Sequence, residues 1–162
     1  MNNNDYLKFG KYTKGCPAWL LDKVRDIDDS NIDISYVIEV LKIIADEFNS
    51  EKYKVKETHN ITESRFVCVK DILDRRQNSC GSMASVVASV FRSLNIPTKL
   101  VHGRYVKNNP NMRHAWNEIL INNEWLPFDV TNPKNDFKLS EFHVKCFDAV
   151  DWGDFENCVE KF

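Results

Sequence analysis

Three residues of this chain have the types and the order that a thiol-based reaction needs: Cys80, His114 and Asp129. A cysteine supplies the nucleophile, a histidine the base suited to neutral pH, and a carboxylate the group that orients the imidazole. Cys80 follows Arg76-Gln77-Asn78-Ser79 and opens an apolar helical stripe. A thiol in the first turn of a helix feels the positive end of the macrodipole, which favours the thiolate. The free N–H groups at that end can also receive a developing oxyanion. Each residue has a plainer reading as well. Cys80 could be a small buried side chain, His114 a structural histidine at a strand end, and Asp129 a turn carboxylate ahead of Thr131-Asn132-Pro133.

Hairpin geometry separates the readings. HAWNEILI and EWLPFDV read as strands joined by Asn122-Asn123, a pair that tolerates the positive φ of a tight hairpin turn. With a two-residue turn, Ile121 faces Glu124, Trp116 faces Asp129 and His114 faces Thr131. Opposed residues share a face and side chains alternate, so His114, Trp116 and Asp129 lie on one face. A slip of one residue would send Asp129 to the other face.

These strands need helices to bring Cys80 to them. Residues 17–27 suggest a short helix, with Pro17 suited to its first turn. A longer helix is predicted over 33–49, from Ile34, Val37, Ile38, Leu41, Ile44, Ala45 and Phe48, with Asp33 as its cap. KYKVKE reads as a strand or a loop, and VKDILDRR as weakly helical. Met83, Val86, Val87, Val90, Phe91 and Leu94 make the stripe of the helix that Cys80 opens, and Asn95 and Pro97 end it. PTKLVHGRYV reads as a strand, and the stretch from Ser140 as a short helix followed by an irregular tail around Trp152–Gly153. Helices first and antiparallel strands after predict an α+β fold, with the helices packed on a sheet, in one domain over residues 1–162.

Composition narrows the function classes. The chain has 162 residues, enough for one core, and 43% hydrophobic with 28% charged residues is a globular composition. A net charge of −2 gives no electrostatic case for nucleic acid or an anionic membrane as partner. The N-terminus has no apolar run of signal-peptide or membrane-span length, so the expected location is cytoplasmic. Five cysteines, without regular spacing or a Cys-x-x-Cys pair, predict reduced thiols and neither a disulfide framework nor a zinc site.

The segment RRQNSCGSMASVVASVFRSLNIPTKLVHGRY, followed by RHAWNEILINNEWLPFDVTNP, resembles the core of the transglutaminase-like superfamily, which is related to papain-like thiol proteases. The resemblance is carried by the cysteine-led helix with its "IP" strand entry, the His-Ala-Trp strand and the Trp-x-Pro-x-Asp strand, over about residues 65–133. With the helix at 33–49 as the preceding family helix, the core spans about 33–133. It implies a transglutaminase-like/papain-like core in which Cys80 is the nucleophile, His114 the general base and acid, and Asp129 the orienting carboxylate. The family often has glycine where this chain has Asn78, a mild departure because Asn tolerates positive φ. Transglutaminases proper use an upstream tryptophan as oxyanion donor, and here only Trp19 precedes Cys80, far upstream. Gln77 is a candidate donor by analogy with the papain-type glutamine, at a shorter spacing from the cysteine.

The implied reaction attacks an amide or peptide carbonyl of a protein or peptide substrate through a Cys80 thioester, which water or an amine then resolves; it needs no metal or organic cofactor. The alternatives are a protein-glutamine acyltransferase, a peptide N-glycanase, and a non-catalytic peptide-binding module. Trp116 reads as a wall of the site, as a shield of the His–Asp bond from water, or as a core aromatic. His102, Arg104 and Tyr105 read as cleft-lining or, better, as a solvated strand face. Trp125 and Phe128 read as core, Cys16, Cys68, Cys146 and Cys158 as packing residues, and His59 and His143 as surface. Loops at 50–65, 107–113 and 134–150 are the expected seats of specificity.

Overall fold

The computed structural model describes residues 2–48, 66, 68–75 and 79–152. Among the described residues, four α-helices come before the strands: α1 (Ala18–Arg25), α2 (Ile34–Phe48), α3 (Val69–Arg75) and α4 (Cys80–Ser93). The strands β1 (Thr98–Tyr105), β2 (Arg113–Ile121), β3 (Glu124–Phe128) and β4 (His143–Ala149) form one antiparallel sheet in the order β3-β2-β1-β4. The α+β class expected from the sequence is the class observed. KYKVKE, Arg76, Gln77, Asn78, His59, Gly153, Cys158 and the loop at 50–65 lie outside the described residues.

Asp33 starts α2 as expected, its carboxylate accepting the Tyr36 N–H at 2.9 Å. One face of α2, from Tyr36 and Val37 through Val40, Leu41 and Ile44 to Phe48, is buried. The apolar stripe assigned to α4 understates its burial: every residue from Gly81 to Arg92 is buried. Met83, Val86, Val87, Val90 and Phe91 meet α1, α2 and the Ile119–Ile121 side of the sheet. The small residues Ala84 and Ala88 instead let the helix approach Leu100, Ala115 and Ala149. Asn117 ties this contact, donating to the Ala84 carbonyl at 3.0 Å and the Lys99 carbonyl at 3.1 Å. Asn95, at φ 64, ends the helix region ahead of β1.

A buried polar cluster joins the two ends of the described chain to α4. The Arg92 guanidinium donates to the Thr98 and Lys8 carbonyls, to Thr13 Oγ1 and to Asp151, with both charged side chains fully buried. Asp151 also accepts from the Tyr12 N–H and the Thr13 hydroxyl. Every charge in this cluster is therefore met by a partner, as burial requires.

The β2–β3 register is the one predicted: Ile121 opposes Glu124 and Asn117 opposes Phe128. Asn122 and Asn123 take the left-handed conformation, φ 50 and 64, that a two-residue hairpin turn demands. The stretch after Ser140 departs from expectation. It forms strand β4 in place of a helix, pairing with β1 through a register shift between His102 and Gly103. The partner strand lies far back in the sequence, so tertiary pairing overrides the weak local signal.

Candidate active site

Cys80 is the first residue of α4, whose preceding Ser79 accepts the Ser82 N–H at 3.3 Å. His114 sits at the start of β2, opposite Gly103. Asp129 follows the last residue of β3, and its backbone is tied down on both sides. Its N–H donates to the Phe137 carbonyl at 2.7 Å, and its own carbonyl accepts the Asn132 N–H at 3.0 Å. The Phe137 ring is anchored in the core.

The structure brings His114 and Asp129 together: His114 Nε2 lies 2.6 Å from Asp129 Oδ2. With Nε2 engaged, Nδ1 is the ring nitrogen left for a thiol. The Cys80 side chain lies close enough to His114 to bear on its protonation, so helix start, strand start and strand end converge. The other carboxylate oxygen does what the plainer reading of Asp129 assigns it. Oδ1 accepts the Thr131 N–H at 3.0 Å and the Thr131 hydroxyl at 2.6 Å, an Asx-type turn. One oxygen of Asp129 thus meets an imidazole while the other holds the turn.

Sequence reasoning assigned His143 to the surface, and the structure overturns that. Its side chain is 2% exposed and its Nε2 lies 2.9 Å from Asp129 Oδ2, the same oxygen that meets His114. Burial follows from β4 pairing with β1, which sets His143 opposite Tyr105. The Ser140 N–H donates to His143 Nδ1 at 2.9 Å. A backbone N–H can only donate, so Nδ1 is an acceptor and Nε2 carries the proton given to Asp129. No local signal marked this residue, because the carboxylate it meets and the strand it pairs with come from elsewhere in the chain.

The electrostatics follow from these contacts. Burial pushes the His114 imidazole down, but the hydrogen bonds to Asp129 and Cys80 and the Asp129 charge outweigh it and hold the ring up at about 10. Burial pushes the Asp129 carboxyl up, yet the hydrogen bonds from His114 and His143, the His114 charge and the Thr131 hydroxyl hold it well below the usual carboxylate range. His114, Asp129 and His143 also have donor atoms within 4.8 Å of one another, a spacing a metal ion could use. The proton on His143 Nε2 argues otherwise: that nitrogen is a donor to the carboxylate and has no free lone pair to offer.

Trp116 is 2% exposed, with its ring 5.9 Å from that of His114 and edge-on to His143 at 5.3 Å. It supports both imidazoles and, being buried, does not present a wall to substrate. Tyr105 packs beside the same two rings. With Met112, Thr131, Asn132, His114, Asp129 and His143 it lines an open cleft of about 250 Å³. Arg104 is exposed, as a solvated strand face requires, whereas His102 is buried between Phe66 and Phe147. Phe128 is in the core, but Trp125 is half-buried against Tyr6, with the Lys99 ammonium over its ring. Cys16 and Cys68 pack against the core, while Cys146 is exposed on β4 instead of packed.

The sequence profile of the transglutaminase-like superfamily matches residues 28–130. The chain belongs to that superfamily. Among solved structures it resembles a proposed cysteine protease from Cytophaga hutchinsonii, at 22% identity and a TM-score of 0.60, covering 86% of this chain and 44% of that one. It is also similar to red sea bream transglutaminase, at 15% identity and a TM-score of 0.44, covering 90% of this chain and 29% of that one. This superfamily chain thus spans less than half the length of either neighbour. A search of curated protein sequences gives no significant match. Among the described residues, no helix is long and apolar enough to cross a membrane.

Proposed function

We propose that this transglutaminase-like protein cleaves an amide or peptide bond of a protein or peptide substrate through a thioester on Cys80. The observation that carries the reading is the 2.6 Å His114–Asp129 contact, on a histidine whose protonation the nearby Cys80, at a helix N-terminus, also influences. The Cys80 proton passes to His114, and the sulfur bonds to the substrate carbonyl carbon. The tetrahedral oxyanion is received by the Cys80 N–H at the helix start. The C–N bond then breaks, the leaving amine takes the proton from His114, and a thioester remains. Water, deprotonated by His114, releases the acid and restores the thiol. Asp129 keeps the imidazole in one tautomer and offsets its charge. Five irregularly spaced cysteines without a Cys-x-x-Cys pair support a reducing compartment such as the cytoplasm.

Iodoacetamide labelling with peptide mapping tests this reading. Cys80 is expected to alkylate faster than the other thiols at neutral pH, and Cys80→Ala to abolish turnover of a peptide-amide library. Equal labelling of all thiols, with activity intact in Cys80→Ala, would overturn it. Supplying a glutamine peptide with a primary amine reads the acceptor: incorporation of the amine in preference to hydrolysis would make the protein an acyltransferase.

A further inference from the structure

We propose that His143 is a positioning residue for the thiol chemistry, holding the Asp129 carboxylate in the orientation that points His114 Nδ1 at Cys80. The inference rests on the function proposed above and adds a residue to it. Asp129 Oδ2 receives two imidazoles, His114 at 2.6 Å and His143 at 2.9 Å, whose ring centroids are 5.4 Å apart. They are not equivalent. His114 has its second nitrogen available for the thiol, whereas His143 has both nitrogens committed. Its Nδ1 is met by the Ser140 N–H at 2.9 Å and the Ser140 hydroxyl at 3.1 Å.

That arrangement fixes the His143 tautomer and makes it a fixed neutral donor. It also leaves no way for His143 to serve as a proton carrier without breaking the Ser140 contacts. The His143 side chain is 2% exposed and the Asp129 side chain 4%, so water cannot readily replace the lost donor. With Thr131 holding Oδ1 and His143 sharing Oδ2, the carboxylate plane is pinned at both oxygens, and the His114 ring inherits that orientation. Imidazole-bound carboxylates held by further hydrogen-bond partners are a general device for fixing ring orientation.

The test is the pH dependence of Cys80 alkylation by iodoacetamide, followed by mass spectrometry from acid to neutral pH. In wild type the rate is expected to rise along an acid limb set by the Cys80–His114 pair. His143→Leu is expected to move that limb up by about one pH unit, an about tenfold slower reaction on the limb. His143→Gln, whose amide N–H can reach Asp129 in place of Nε2–H, is expected to restore it. Should His143→Leu fail to fold by circular dichroism, His143→Asn, with too short an amide, takes its place. A limb unmoved by removal of the donor overturns the role of His143 alone, as does a Gln variant shifted as far as Leu. A wild-type protein with no acid limb overturns the Cys80–His114 reading, and this one with it.

Discussion

Gly103 lies directly beneath Trp116: a Cβ built on Gly103 would fall 2.1 Å from the indole Cη2 and 2.5 Å from the Val144 carbonyl oxygen. The indole fills the space a side chain would take, at the point where the β1–β4 register shifts. Gly103 is also opposite His114, so this vacancy lets Trp116 pack against the His114 and His143 rings.

Gly103→Ala should therefore destabilise the fold by about 3 kcal/mol, at the upper end of overpacking costs, because one neighbour is backbone. Chemical denaturation measures it. Quenching of Trp116 fluorescence by acrylamide should rise as the ring is displaced from beneath the imidazoles.

Asp129→Asn should change how stability varies with pH. His114 has its pKa raised from 6.5 to about 10, so its contribution is fully present below pH 6.5 and is lost as pH rises through 10. Asp129 is shifted the other way, so its contribution is present above 3.8 and is lost as pH falls through its depressed value. Urea unfolding over a pH series should show wild-type stability declining, relative to Asp129→Asn, between neutral pH and pH 10. Parallel profiles would refute the pairing.

Thr131→Val removes the hydroxyl that donates to Asp129 Oδ1 at 2.6 Å while nearly conserving volume. Thr131 itself is exposed, so water partly replaces the bond, and the expected cost is about 1 kcal/mol. The backbone N–H contact persists, and Cys80 alkylation should slow less than in His143→Leu.

Asn123→Val places a β-branched residue at φ 64. The left-handed conformation costs a non-glycine residue about 1–2 kcal/mol, and more when it is β-branched. Because the turn sets the register that puts Asp129 on the His114 face, loss of Cys80 reactivity should accompany loss of stability. Asn123→Gly should retain both, as measured by thermal unfolding and alkylation rate.

The sequence alone was enough for whatever depends on period and parity. Repeats of three and four residues marked α2 and α4, and Asn122-Asn123 fixed a two-residue turn whose register puts His114 and Asp129 on one face. Those features are local or follow from alternation along neighbouring strands, so nothing distant had to be known. Tertiary structure alone decided the rest. Whether the stretch after Ser140 is helix or strand depends on the open edge of β1, contributed far upstream. Once β4 forms there, His143 turns from an unremarkable histidine into a buried donor on the Asp129 carboxylate. The all-round burial of α4, and with it His102, likewise follows from layers closing on both sides. A one-dimensional pattern carries the face a residue points to, but what waits on that face comes from elements brought together only when the chain folds.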